Sequence, residues 1–99
     1  MILTGKAKED FRIWLQEYSK DFELIELFDK LHTASQNGLI IEWLDEKRIY
    51  IETMKAGFYR CNINDNATGD LFIVKNQNTR NEAQRLAIEK ANEIYNTTH

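Results

Sequence analysis

Proline is absent from this sequence, and glycine occurs four times in 99 residues. No Pro-, Gly- or Ser-rich linker, low-complexity tract or internal repeat divides the chain, so residues 1–99 read as a single domain. A lone cysteine, Cys61, excludes an intrachain disulfide and fits a reducing compartment. With Cys61, His32 and His99 as the whole set of cysteine and histidine, a structural zinc site lacks its four closely spaced ligands. No apolar run approaches the ~20 residues that span a bilayer. The opening "MILTGKAKED" lacks the apolar stretch of a secretory signal, so a cytoplasmic protein without membrane attachment is expected. The triplets at Asn66 and Asn96 that match a glycosylation acceptor are then chance matches.

What is present is the composition of a folded chain. Hydrophobic residues make up 42% and charged residues 29%, with eleven aromatics among them, enough apolar surface to offset the entropy of ordering. The net charge of −3 is unevenly spread. Residues 1–46 hold five Lys/Arg and ten Asp/Glu, and residues 47–99 hold eight and six. An acidic front and a mildly basic back suit mutual attraction within a fold or a polar surface for a partner.

Hydrophobic spacing predicts a helix from Thr4, as N-cap, to about Tyr18, with Phe11, Trp14, Leu15 and Tyr18 as its apolar stripe. Ser19 and Asp21 are cap candidates for a second helix from Phe22 to about Ala34, striped by Leu24, Leu27, Phe28 and Leu31. One long bent helix is the alternative. Asn37-Gly38 reads as the stop. The period then changes to two. Residues 39–45, 48–55, 58–64 and 70–76 read as strands, with turns at Asp45-Glu46-Lys47, Ala56-Gly57 and 65–69. Alternation sends Ile49, Ile51, Tyr59, Cys61 and Ile63 to one face. Glu42, Tyr50, Glu52, Met54, Phe58 and Arg60 go to the other. Thr79 and Glu82 form a capping box for a closing helix. Ala83, Leu86, Ala87, Ala91 and Ile94 line one side of it, and the small alanines let it lie close on a sheet. The expected fold is α+β: an antiparallel meander of three or four strands, an N-terminal helix or helix pair, and a C-terminal alanine-rich helix packed on the sheet.

No catalytic constellation emerges. Cys61 falls on the core face of a strand, and His32 in the last turn of a helix. Paired carboxylates such as Glu9/Asp10 and Asp45/Glu46 are sequence neighbours suited to capping or solvation. The oxygen-rich 62–70 stretch lacks the glycine offset and closing glutamate of a calcium loop. No cofactor is expected. Helix, three-stranded meander and alanine-rich helix is the element order of double-stranded-RNA-binding domains. However, Lys75, Arg80, Arg85 and Lys90 are interleaved with Glu82, Glu89 and Glu93, and the basic helix start of that family is missing, which disfavours nucleic acid.

The segments "LTGKAKEDF" with Trp14, "QNGLIIEW" and "TRNEA…AIEKANEIYN" resemble small hypothetical proteins of bacteriophages and related mobile elements. The resemblance implies an accessory protein and brings no catalytic residue or cofactor with it. With all helices on one side of the sheet, the face carrying Tyr50, Phe58 and Arg60 stays open as a surface for a protein partner or a second copy. The alternative is cross-strand pairing of Glu42, Glu52 and Arg60 in water. The expected function is non-enzymatic protein binding, with inhibition of a host factor as one form of it. Nucleic-acid or nucleotide binding is the alternative.

Overall fold

A computed structural model describes residues 1–19 and 22–99, with side chains described at 1–18 and 25–99. Helix α1 spans Gly5–Ser19 and α2 spans Phe22–Leu27, followed by a 3-10 turn at Phe28–Lys30 and helix α3 over Thr33–Glu46. Strands β1 (Ile49–Ala56), β2 (Phe58–Asp65) and β3 (Asp70–Gln77) follow, and α4 (Arg80–Thr98) closes the chain. The sheet is an antiparallel meander in the order β1-β2-β3. The α+β architecture, the meander and the closing helix on the sheet match the expectation from sequence.

Residues 39–45 depart from it. They are helical and not a strand, so the sheet has three strands and Glu42 lies on α3. "LIIEWL" suits either a buried strand or a buried helix segment, and periodicity over six residues does not separate them. Packing decides: Asn37, Ile40, Trp43 and Leu44 are the buried positions of α3, a spacing of three and four. The expected helix over 22–34 is correspondingly broken. Leu31 is extended (φ −67°, ψ 155°) after the 3-10 turn, and His32 precedes the first turn of α3 instead of closing a helix. Asn37-Gly38 lies inside α3 and terminates nothing. Asp45, Glu46 and Lys47 end a helix instead of turning a hairpin. There the Lys47 N–H bonds the Leu44 carbonyl and Arg48 adopts φ 62°, a left-handed helix stop. Asp21 and the join between α1 and α2 lie outside the described residues.

Asn96, and not Thr4, supplies the side-chain cap of α1. Asn96 Oδ1 accepts the Ala7 N–H (2.8 Å) and its Nδ2 donates to the Thr4 carbonyl (2.9 Å). One turn earlier, Asn92 Oδ1 accepts the Thr4 N–H and Nδ2 donates to Thr4 Oγ1. Gly5 enters α1 at φ 57° under Asn96, where a Cβ would sit 3.3 Å from the carboxamide.

α4 begins at the expected N-cap, with Thr79 Oγ1 accepting the Glu82 N–H at 3.1 Å, but the reciprocal half of the capping box does not form, because the Glu82 carboxylate pairs with Arg85. Ala83, Ala87 and Ala91 are fully buried, and Leu86 and Ile94 are half-buried. Ile88 and Tyr95 extend the buried face toward α3 and α1. The core facing the sheet receives Ile49, Cys61 and Ile63, with Ile51, Tyr59, Phe72 and Val74 at its margin. Away from the sheet, Phe11 packs edge-on against Phe28 (5.1 Å) and Trp43 (5.6 Å), and Trp43 meets Tyr95 at 4.9 Å. Tyr18, expected in the α1 stripe, is exposed. Among the described residues no helix is long and apolar enough to cross a membrane.

Candidate recognition face

The register fixes what the helix-free face of the sheet carries. Ile51 opposes Ile63, which opposes Phe72, and this row points to the core. One residue on, Tyr50, Asn64 and Leu71 form an outward row, and Glu52, Asn62 and Ile73 form the next. Met54 opposes Arg60, whose guanidinium reaches the Met54 Sδ at 3.8 Å. A bulge follows: Cys61 opposes Val74 but Tyr59 opposes Gln77, and Asn76 takes φ 60°. Beyond it, Lys75 and Asn76 join Ala56, Phe58 and Arg60 around a shallow hollow of about 220 Å³.

Tyr50, Phe58 and Arg60 are all exposed on this face, as expected. They do not form one cluster: Tyr50 stands at the start of β1, while Phe58 and Arg60 stand at the hairpin end of β2. Two further anchors join them, so that Tyr50 (41%), Phe58 (55%), Leu71 (57%) and Ile73 (45%) are exposed large apolar side chains of one sheet. Leu71 and Ile73 follow from the same period-two reading of β3. Their face becomes legible only with the register across β2. Glu42 is exposed on α3 and takes no part.

Elsewhere several polar groups are engaged in structure, while the buried Asn37 Oδ1 and Trp43 Nε1 have no hydrogen-bond partner among the described residues. A hollow of about 380 Å³ is lined by Asp10, Ile13, Trp14, Glu17, Glu46 and Lys47. In it the Trp14 indole N–H donates to Glu46, and the Tyr95 hydroxyl and Lys6 hold Asp10. The Tyr95 hydrogen bond, and then Lys6, keep the Asp10 carboxyl below the usual carboxylate range. Burial and that same carboxylate push the Tyr95 phenol up. Cys61 is fully buried on the core face, where desolvation raises its thiol pKa, and Thr53 Oγ1 lies 3.3 Å from its sulfur. His32 is exposed at the start of α3. Arg85 is clamped by Glu82 and Glu89, each at 2.6 Å. Among the described residues, no group of three or more His, Cys, Asp or Glu is arranged to hold a metal ion.

The chain matches no protein-family model, no curated protein and no solved structure.

Proposed function

We propose that this is a non-enzymatic binding protein whose recognition surface is the helix-free face of the sheet, and that the face binds protein. One observation carries the reading: four large apolar side chains stand in water on that face, around a polar centre of Glu52, Asn62, Asn64 and Arg60. Large apolar side chains exposed on one face among polar groups mark an interaction site. Aromatic and arginine anchors are the residue types that dominate protein interfaces. The resemblance of the ends of the sequence to phage proteins supports a role in which this face, alone or paired with a second copy, inhibits or redirects a host or phage protein. Site-specific photo-crosslinking tests the reading. A benzophenone amino acid replacing Phe58 is expected to give covalent protein adducts in cells, whereas the same group at Glu9 on α1 gives none. Absence of adducts at Phe58 overturns it.

A second reading, binding of a polyanion, is favoured by a grouping that the sequence scatters. Lys55 and Arg80 both lie over the Tyr59 ring, at 5.3 and 5.8 Å. Arg60 and Lys75 share the hollow beside Phe58. Among the described residues none of these four cations forms an ion pair. Retention on heparin that is lost with rising salt supports this reading, and flow-through at low salt removes it.

A further inference from the structure

The open face is self-complementary. Viewed from outside with β1 pointing up, its three rows are Tyr50–Asn64–Leu71, Glu52–Asn62–Ile73 and Met54–Arg60–Lys75, with Lys75 placed by the hollow it shares with Arg60. The hand of the layout follows from the Asn66 N–H bonding the Arg48 carbonyl. That bond aims the backbone groups of even-numbered β1 residues at β2. With even-numbered side chains facing the viewer, L-chirality then sets β2 and β3 to the right. The right-handed strand twist brings the Met54 and Leu71 corners forward and draws the Tyr50 and Lys75 corners back.

Two copies can meet on this face about four simple two-fold axes, and charge separates them. An axis along β2 sets Arg60 against Arg60. An axis across the strands through the middle row sets Glu52 against Glu52. The diagonal through Tyr50 and Lys75 sets Lys75 on Lys75 and Arg60 on Ile73. The diagonal through Leu71, Asn62 and Met54 sets no like charges together, and it places Ile73 of each copy against Asn64 of the other. Glu52 of each copy meets Arg60 of the other, and Tyr50 meets Lys75. Leu71 and Met54 meet their own mates. Neither Glu52 nor Arg60 has an ion-pair partner within the chain among the described residues. Asn62, at the centre of the grid, has a buried Oδ1 with no hydrogen-bond donor. A carboxamide on the dyad can pair reciprocally with its mate after rotation of the amide. Strands crossing near 90° are one of the two standard ways that sheets pack face to face. The forward corners then make the tight apolar contacts, and the long side chains bridge the splayed ones.

We propose that the occupant of this face is a second copy of the chain, in an orthogonal dimer with its two-fold axis along the Leu71–Asn62–Met54 diagonal. The proposal rests on the reading of the open sheet as a protein-recognition face and names its occupant. A three-stranded face buries roughly 500 Å² per partner, below the ~800 Å² of a standard interface, so association in the range of about 10–100 µM is expected.

Sedimentation equilibrium from about 10 µM to about 1 mM tests it. The wild-type chain is expected to follow a monomer–dimer equilibrium. Glu52→Arg and Arg60→Glu are each expected to weaken it at least ~10-fold, because each places like charges across both halves of the interface. An equimolar mixture of the two variants is expected to regain wild-type affinity as a heterodimer, since the new arginine of one chain meets the new glutamate of the other. Both positions are exposed, and unchanged circular dichroism checks the folds. A wild-type chain that stays monomeric throughout, a dimer indifferent to both substitutions, or a mixture that fails to re-associate overturns the proposal. A monomeric chain that still cross-links through Phe58 to a different protein overturns the dimer and leaves the recognition reading standing. Loss of both overturns the two together.

Discussion

The hydroxyl of Tyr95, in the last turns of α4, donates to the carboxylate of Asp10 in the middle of α1. Two residues 85 positions apart thus tie the ends of the chain together, beside the Asn92 and Asn96 contacts to the entry of α1. Tyr95 is almost wholly buried and its ring packs on Trp43, so the polar tip is the one part of that side chain that needs a partner. Tyr95→Phe is expected to cost about 1–2 kcal/mol at neutral pH, because it removes a hydrogen bond to an ionised group while keeping the ring.

The pH dependence of that loss follows from the two shifts. Asp10 titrates lower in the folded chain than in the unfolded one. Its contribution is therefore complete above the ordinary carboxylate value and disappears as pH falls through the lowered one. Tyr95 titrates higher when folded, so its contribution is complete below the ordinary phenol value and disappears as pH rises toward the raised one. Urea unfolding of wild type and Tyr95→Phe is expected to give a constant stability difference between about pH 5 and 9, narrowing below about pH 4 and above about pH 10. A difference that keeps growing at either extreme contradicts the assignment.

Small side chains set the distance between α4 and the sheet. Ala83, Ala87 and Ala91 have no exposed surface, and α4 runs across all three strands. Ala87→Leu inserts three carbons where nothing can move aside without lifting the helix, and is expected to cost about 2–3 kcal/mol. Glu93→Leu, at an exposed position of the same helix, is expected to stay within about 0.5 kcal/mol. Thermal unfolding of both variants separates a close-packed face from a solvated one.

The parts of this fold that are legible in the sequence are those with a strong local signal. Thr79 and Glu82 announce the start of α4, and alternation along 49–63 sorts β1 and β2 into the faces they adopt. That alternation also exposes Tyr50, Phe58 and Arg60, the first members of the candidate face. What is not legible depends on distant partners. Leu39 to Leu44 are apolar but for Glu42, in a run too short to have a period, and their helical state is decided by the aromatic cluster that Trp43 joins. Asn96 caps a helix that begins 91 residues before it, and no local pattern points to that role. Lys55, Arg60, Lys75 and Arg80 look scattered until two hairpins bring them to one end of the sheet.

Gly38 offers a test whose sign depends on which of those readings is right. As a helix stop it would need a left-handed backbone, and alanine there would destabilise. In the structure Gly38 sits in the first half of α3, with no left-handed φ and no atom within 4 Å of where a Cβ would go. Gly38→Ala is therefore expected to stabilise by about 0.5–1 kcal/mol, from helix propensity and a less flexible unfolded chain. Gly57, at φ 80° in the β1–β2 turn, is the internal contrast. Gly57→Ala is expected to destabilise by about 1 kcal/mol although space is open around it. Guanidinium unfolding of the two variants should move in opposite directions.

The surroundings of Cys61 disfavour the reactive form of its thiol. A thiolate is the nucleophile, and it is stabilised by nearby cations, helix N-termini or water. Cys61 sits on the core face of the middle strand with none of its surface exposed, and burial raises its pKa. Its polar neighbour is the Thr53 hydroxyl, which can take the thiol proton as a weak hydrogen bond but is no base at neutral pH. The sulfur is therefore a small apolar filler between β2 and α4. Native protein is expected to react with an aromatic disulfide reagent only as fast as the chain opens, so that the labelling rate rises in step with the unfolded fraction as urea is added. Cys61→Ala is expected to lose about 1 kcal/mol of stability from the missing sulfur contacts, while cross-linking through Phe58 continues unchanged. Stoichiometric labelling of the folded chain within seconds, or loss of partner capture in a folded Cys61→Ala variant, would return this thiol to the list of functional groups.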